Sequence, residues 1–124
     1  MTNHRESGAR IQAYLRENGY PEHVVRGGRA GLVRRWSKFV EQVEAGYRLG
    51  LEDYRNDLDI RGILRLAGAE DGEVLALDAR LRAMLAPAKR RIWESAAGDP
   101  FWDFGYPRDA GEELREGLAV EGLI

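Results

Sequence analysis

Leu32-Val33-Arg34-Arg35-Trp36-Ser37-Lys38-Phe39-Val40-Glu41-Gln42-Val43-Glu44-Ala45-Gly46-Tyr47 is the run that decides the fold. Leu32, Trp36, Phe39, Val40, Val43 and Tyr47 recur at the α-helical period over about four turns. Arg34, Arg35, Lys38, Glu41 and Glu44 fall on the opposite face, which is therefore solvated. The spacing predicts a helix from about Ala30 to Tyr47, with Glu44 and Arg48 as an i, i+4 pair in the favourable order. Its beginning is unusual, because Arg26, Arg29, Arg34 and Arg35 crowd the positive end of the helix dipole.

Working outward, Gly46 and Gly50 bracket a corner, and a further helix is predicted from Leu51 to about Ala67, closed by Gly68. It carries the densest polar group in the chain, Tyr54-Arg55-Asn56-Asp57-Leu58-Asp59-Ile60-Arg61. Towards the N-terminus, residues 1–6 are predicted to fray. Ser7 is placed to cap a first helix bearing Ile11, Tyr14 and Leu15 on one face, and Asn18-Gly19 ends it. Pro21 opens a short turn through Val25, and Gly27-Gly28 closes that. Towards the C-terminus, Glu73 to Ala86 reads as a helix with Leu77, Leu81, Met84, Leu85 and Ala88 as its stripe, and Pro87 breaks it. Residues 98–108 are a loop with Phe101, Trp102, Phe104 and Tyr106. A last short helix runs through Leu114 and Leu118, with acidic residues in its first turn, as the dipole favours. The alternation of a β-strand is absent.

The predicted architecture is all-α: one domain over residues 1–124, with four to five helices in a compact irregular or orthogonal bundle around Trp36, Val40, Val43, Leu58, Leu81 and Leu85.

Composition narrows function mainly by exclusion. The sequence has 124 residues and no cysteine, so disulfides, thiolate metal sites and Cys nucleophiles are ruled out. His4 and His23 are the two histidines, too few for a structural zinc site. No leader and no apolar run of membrane-spanning length is visible, which points to a cytoplasmic protein without a membrane partner. Charged residues make up 32% of the chain, yet the net charge is −2, the balance of a solvated surface. Arg outnumbers Lys 17 to 2, a bias that GC-rich coding explains without an RNA-binding role. Residues 98–124 hold two basic and seven acidic groups, an acidic end that suits solubility or a basic partner.

Three segments carry candidate chemistry. In Tyr54–Arg61, a metal would be paired by Asp53 with Asp57, or Asn56 with Asp59. A catalytic role would need one carboxylate raised by burial. The simplest reading is a polar brace, with Asn56 or Asp57 capping a restarted helix and Arg55 and Arg61 bridging to carboxylates, Asp57 standing at i, i+4 from Arg61 in the attractive order. The late aromatic loop is either a lid on the core or a recognition loop in which Trp102 or Tyr106 anchors a partner and Arg108 pairs with its carboxylate. Arg26-Gly27-Gly28-Arg29 is one copy of an element that acts by repetition, and it lacks a phosphate-loop pattern, so nucleic acid is the least favoured partner. Ser7, Ser37 and Ser95 lack the glycines of a nucleophile elbow. No cofactor or metal is expected.

The run from Trp36 through Tyr47, the segment Leu51 to Arg61, Leu77-Asp78-Ala79-Arg80 and Tyr106-Pro107-Arg108 together resemble a group of small uncharacterised bacterial proteins, chiefly actinobacterial. The resemblance implies no activity. It groups the Asn-Asp-x-Asp-x-Arg and Tyr-Pro-Arg segments as parts of one shared site. The binding candidates are therefore Tyr54, Asn56, Asp57, Asp59, Arg61, Trp102, Tyr106 and Arg108. Three functions compete: a protein-binding or regulatory module of the immunity or antitoxin kind; an enzyme or small-ligand binder with a pocket where Asp57, Asp59, Arg61, Tyr106 and Arg108 converge; and a nucleic-acid binder using Arg26 to Arg35.

Overall fold

The computed structural model describes the backbone of residues 4–93 and 104–124, with side chains from Ala9 onward. The fold is all-α. Its helices are α1 (His4–Glu17), α2 (Glu22–Glu44), α3 (Leu51–Leu66), α4 (Gly72–Arg82) and α5 (Glu112–Val120). Helix α1 already includes His4, ahead of the expected cap at Ser7 and within the stretch expected to fray. Residues 1–3 lie outside the described residues.

Helix α2 is the hub. α1, α3 and α4 pack against it, and α5 packs on α3. The predicted short turn and long helix are one element interrupted at Gly28, where φ is 54° and ψ is −148°. That backbone is open only to glycine, so the break follows from Gly28 itself. The stripe behaves as its period requires: Leu32, Trp36, Phe39, Val40 and Val43 are all buried. Leu58 and Leu81 join them, while Leu85 is half-buried.

The helix ends at Glu44 rather than Tyr47. Tyr47 is still fully buried, but in the corner. Its N–H donates to the Asp109 carbonyl at 3.0 Å, and its carbonyl accepts from Gly111 N–H at 2.8 Å. With the helix ended, Arg48 and Glu44 no longer share a face. Arg48 pairs with Asp109 at 3.1 Å, and Glu44 pairs with Arg80 of α4.

α3 opens at the Gly50 N-cap, whose N–H donates to the Asp53 carboxylate at 3.3 Å. Asn56 and Asp57, expected as caps, sit inside the helix. α4 is capped by Asp71, which accepts from Val74 N–H at 3.1 Å. It stops at Arg82, well before Pro87, because the chain leaves it for a β pairing. Residues 85–86 (β1) and 106–107 (β2) form a minimal antiparallel ladder, Leu85 opposite Pro107 and Ala86 opposite Tyr106. Two residues are too few to display alternation, so this pairing had no period to reveal it.

Among the described residues, no helix is long and apolar enough to cross a membrane.

Candidate functional site

The polar segment of α3 divides its side chains between the core and a groove. Arg61 turns inward and is 2% exposed. Its Nε donates to both carboxylate oxygens of Asp78 on α4, at 3.0 and 3.1 Å, and its Nη2 donates to Glu70. Asp78, 6% exposed, also accepts from the Trp36 indole at 3.0 Å. A buried charged pair therefore ties α2, α3 and α4 together. The expected Asp57–Arg61 pair does not form, because Arg61 faces α4 and Asp57 faces the corner. Asp57 accepts from the Tyr47 hydroxyl at 2.9 Å.

Tyr54 is fully buried, and its hydroxyl donates to the Gly105 carbonyl at 2.6 Å. The late loop thus returns to this segment, but through Gly105. Tyr106 is half-buried against the core in β2. Arg108 donates to the Ala83 carbonyl at 3.1 Å, just beyond the end of α4. Phe104 is buried edge-on between Trp36 and Trp93, at ring distances of 6.2 and 5.9 Å. The described part of the loop is therefore a lid on the core. Phe101 and Trp102 lie outside the described residues. The five side chains expected to converge on one pocket do not: Arg61 is in the core, Tyr106 lies in the ladder opposite Ala86, Arg108 reaches the end of α4, and Asp57 and Asp59 line a groove.

That groove lies between α2 and α3, with a volume of about 520 Å³. Two helical stripes line it. Leu32, Arg35, Lys38, Phe39 and Gln42 come from α2, and Asn56, Asp57, Asp59, Ile60 and Ile63 from α3, with Tyr20 and Val24 at one end. Its floor is apolar, and its rims carry opposite charges. Beyond Asn56 and Asp59 a second concavity of about 460 Å³ continues past Arg55, Arg91 and Trp93. Arg55 is anchored there, to the Ile92 carbonyl at 2.9 Å and bidentately to Glu121 at 2.9 and 2.8 Å.

The two rims are energetically unequal. Arg35 and Lys38 are exposed, so water solvates them. Asp57 and Asp59 are half-buried. Burial pushes both carboxyls above the ordinary carboxylate value. The Tyr47 hydroxyl partly offsets this at Asp57, where Asp53 adds repulsion, and the Trp93 indole partly offsets it at Asp59. Burial and the Asp59 charge raise the phenols of Tyr14 and Tyr20 in turn. Among the described residues, no Lys, Arg or His forms an ion pair with Asp57 or Asp59.

Of the two proposed metal pairs, Asp53 and Asp57 are otherwise engaged: Asp53 serves the helix start and Asp57 accepts from Tyr47. Among the described residues, no group of three or more His, Asp or Glu side chains could hold a metal ion. The arginine cluster does not form one cationic face. Arg29 pairs with Asp71 and Glu73 at the start of α4, and Arg35 belongs to the groove.

Of the groove residues, sequence reasoning singled out Asn56, Asp57 and Asp59 as binding candidates and Arg35 as part of the arginine cluster, but not Lys38, Gln42 or Tyr20. A signal existed. Arg35, Lys38 and Gln42 form a stripe at helical spacing that borders the core stripe. Comparison with protein-family models, curated proteins and solved structures gave no significant match.

Proposed function

We propose that this chain is a protein-binding module and that it meets its partner along the α2–α3 groove. One observation carries this reading. An open, apolar-floored groove holds two half-buried carboxylates that no cation of the described chain neutralises. Burying charge without a partner costs stability, and such a cost is typical of surfaces that await a complement. The concrete form is a cytoplasmic regulator or neutraliser of another protein, of the immunity or antitoxin kind. The groove is preferred to the late loop as the recognition surface because Tyr106 is half-buried in the ladder with Ala86 and the Arg108 guanidinium binds the Ala83 carbonyl.

Site-specific photo-crosslinking in the producing cell tests this. A crosslinker at Asn56, which is exposed between the two concavities, is expected to capture one protein partner. The same group at Arg34, also exposed, is the control and is expected to capture none. Equal products from both positions, or none from Asn56, would refute the reading.

A small-ligand reading has one observation in its favour, a groove volume within the usual range of ligand sites. Native mass spectrometry of the protein from its own cell separates the two, since a stoichiometric small-molecule adduct would favour the ligand.

A further inference from the structure

We infer that the α2–α3 groove accepts a short amphipathic helix of a partner protein, oriented so that Arg or Lys side chains along its apolar stripe meet the Asp57 and Asp59 carboxylates, each separately. The inference rests on the protein-binding reading above and specifies the chemistry of the partner.

Three features select a helix. The first is length. The α2 wall runs from Leu32 to Gln42, about 15 Å at the helical rise, which matches a segment of about three turns. The second is hydrogen bonding. Both walls are helices, whose interior backbone groups are already paired. An extended peptide would find no open strand edge to bond with, whereas a helix satisfies its own backbone. The third is the floor. Tyr20, Val24 and Ile60, each half-buried, present apolar surface along it that suits the apolar stripe of a helix.

Charge then sets the orientation. The α3 rim is anionic and half-buried, and the α2 rim is cationic and exposed. Cations placed against Asp57 and Asp59 relieve a desolvation cost that the Tyr47 hydroxyl and the Trp93 indole offset only in part, so the larger share of charge-dependent affinity belongs on that side. Acidic residues on the opposite edge meet Arg35 and Lys38 in water, where they contribute direction and association rate more than affinity. A simple amine would reach the carboxylates but leave the length of the groove and the cationic rim unused.

The test is a display selection of random helical peptides on the full-length protein, counter-selected on Asn56→Trp. That substitution places an indole at an exposed position between the two concavities, and its circular dichroism and melting are compared with wild type first. Peptides with an apolar stripe edged by Arg or Lys are expected to enrich. Their affinity is expected to fall about tenfold or more in the Asp57→Asn/Asp59→Asn variant, and less than threefold in Arg35→Gln/Lys38→Gln. Reversing the charged edges of a winning peptide, at constant composition, is expected to abolish binding. Enrichment of acidic peptides that depend on Arg35 and Lys38 would overturn this inference and leave the protein-binding reading standing. No enrichment, or enrichment insensitive to Asn56→Trp, would overturn both. Self-association of the protein that Asn56→Trp abolishes would assign the groove to a second copy and overturn the inference.

Discussion

Replacing Asp78 with Ala removes the acceptor shared by Arg61 and Trp36 while leaving both donors in the core. Removing one member of a buried ion pair typically costs about 3–5 kcal/mol, because the remaining charge stays buried. Here Arg61 keeps Glu70, which is partly exposed, so the lower end of that range applies. The stranded indole N–H adds about 1 kcal/mol. The expected loss is therefore about 4 kcal/mol, a large share of the roughly 5–15 kcal/mol that holds a domain together. For a chain of this length it corresponds to a drop in Tm of about 15 °C. Urea denaturation followed by circular dichroism measures it, with an unchanged m-value as the check that the unfolding remains comparable. Two further variants locate the cause. Asp78→Asn keeps an oxygen for Trp36 and loses the charge. Arg61→Met combined with Asp78→Leu removes the pair altogether and is expected to recover most of the loss. If Asp78→Ala costs less than about 1 kcal/mol, or the double replacement is no better than the single one, then the pair does not tie the three helices as described.

Asp59→Asn is expected to stabilise the protein by about 0.5 kcal/mol near neutral pH, since it removes a half-buried charge that no cation among the described residues pairs with. The folded-state pKa of Asp59 is raised, so the cost of its ionised form is present above that pKa and fades as acid protonates it. The advantage of the variant should therefore shrink as pH falls through the carboxylate range, and a gap that widens on acidification would contradict the argument. Tyr47→Phe deletes the hydroxyl that holds the Asp57 carboxyl down. It should cost about 1 kcal/mol and move the Asp57 carboxyl further up in an NMR titration. Gly105→Ala would put a Cβ atom 1.9 Å from the Ala86 carbonyl oxygen, so β1 and β2 must separate. A loss of about 2 kcal/mol is expected in thermal melts, and a silent substitution would mean that the ladder does not hold the loop.

The helices were legible wherever period carried the information. Leu32 to Val43 announces a buried stripe, and Leu58 and Leu81 follow the same rule. What escaped was everything that depends on partners far apart in sequence. Arg61 at i+4 from Asp57 looks like its ion-pair partner, but the choice was made by Asp78 on another helix. Tyr47 continues the helical period beyond the helix, because burial in the corner demands an aromatic there as well. The two-residue ladder has no pattern of its own. For the candidate site, Asn56, Asp57 and Asp59 stood out by composition alone. Of the cationic rim, Arg35 stood out only within the Arg26–Arg35 cluster and Lys38 not at all, since exposed Arg and Lys on a helix are ordinary until a second helix faces them.

The corner at Tyr47 also has a place in time. Its main-chain N–H and C=O are both taken by residues 109 and 111. α2 and α3 emerge from the ribosome in sequence and can begin to pack at once, but the chain that completes their turn follows about 60 residues later. At about 5–20 residues per second, that gap is several seconds. During it the groove walls are present while the corner backbone remains solvated and unpaired. The corner therefore closes late, when residues 109–111 reach it, and contacts of such long sequence separation slow folding relative to local helix packing.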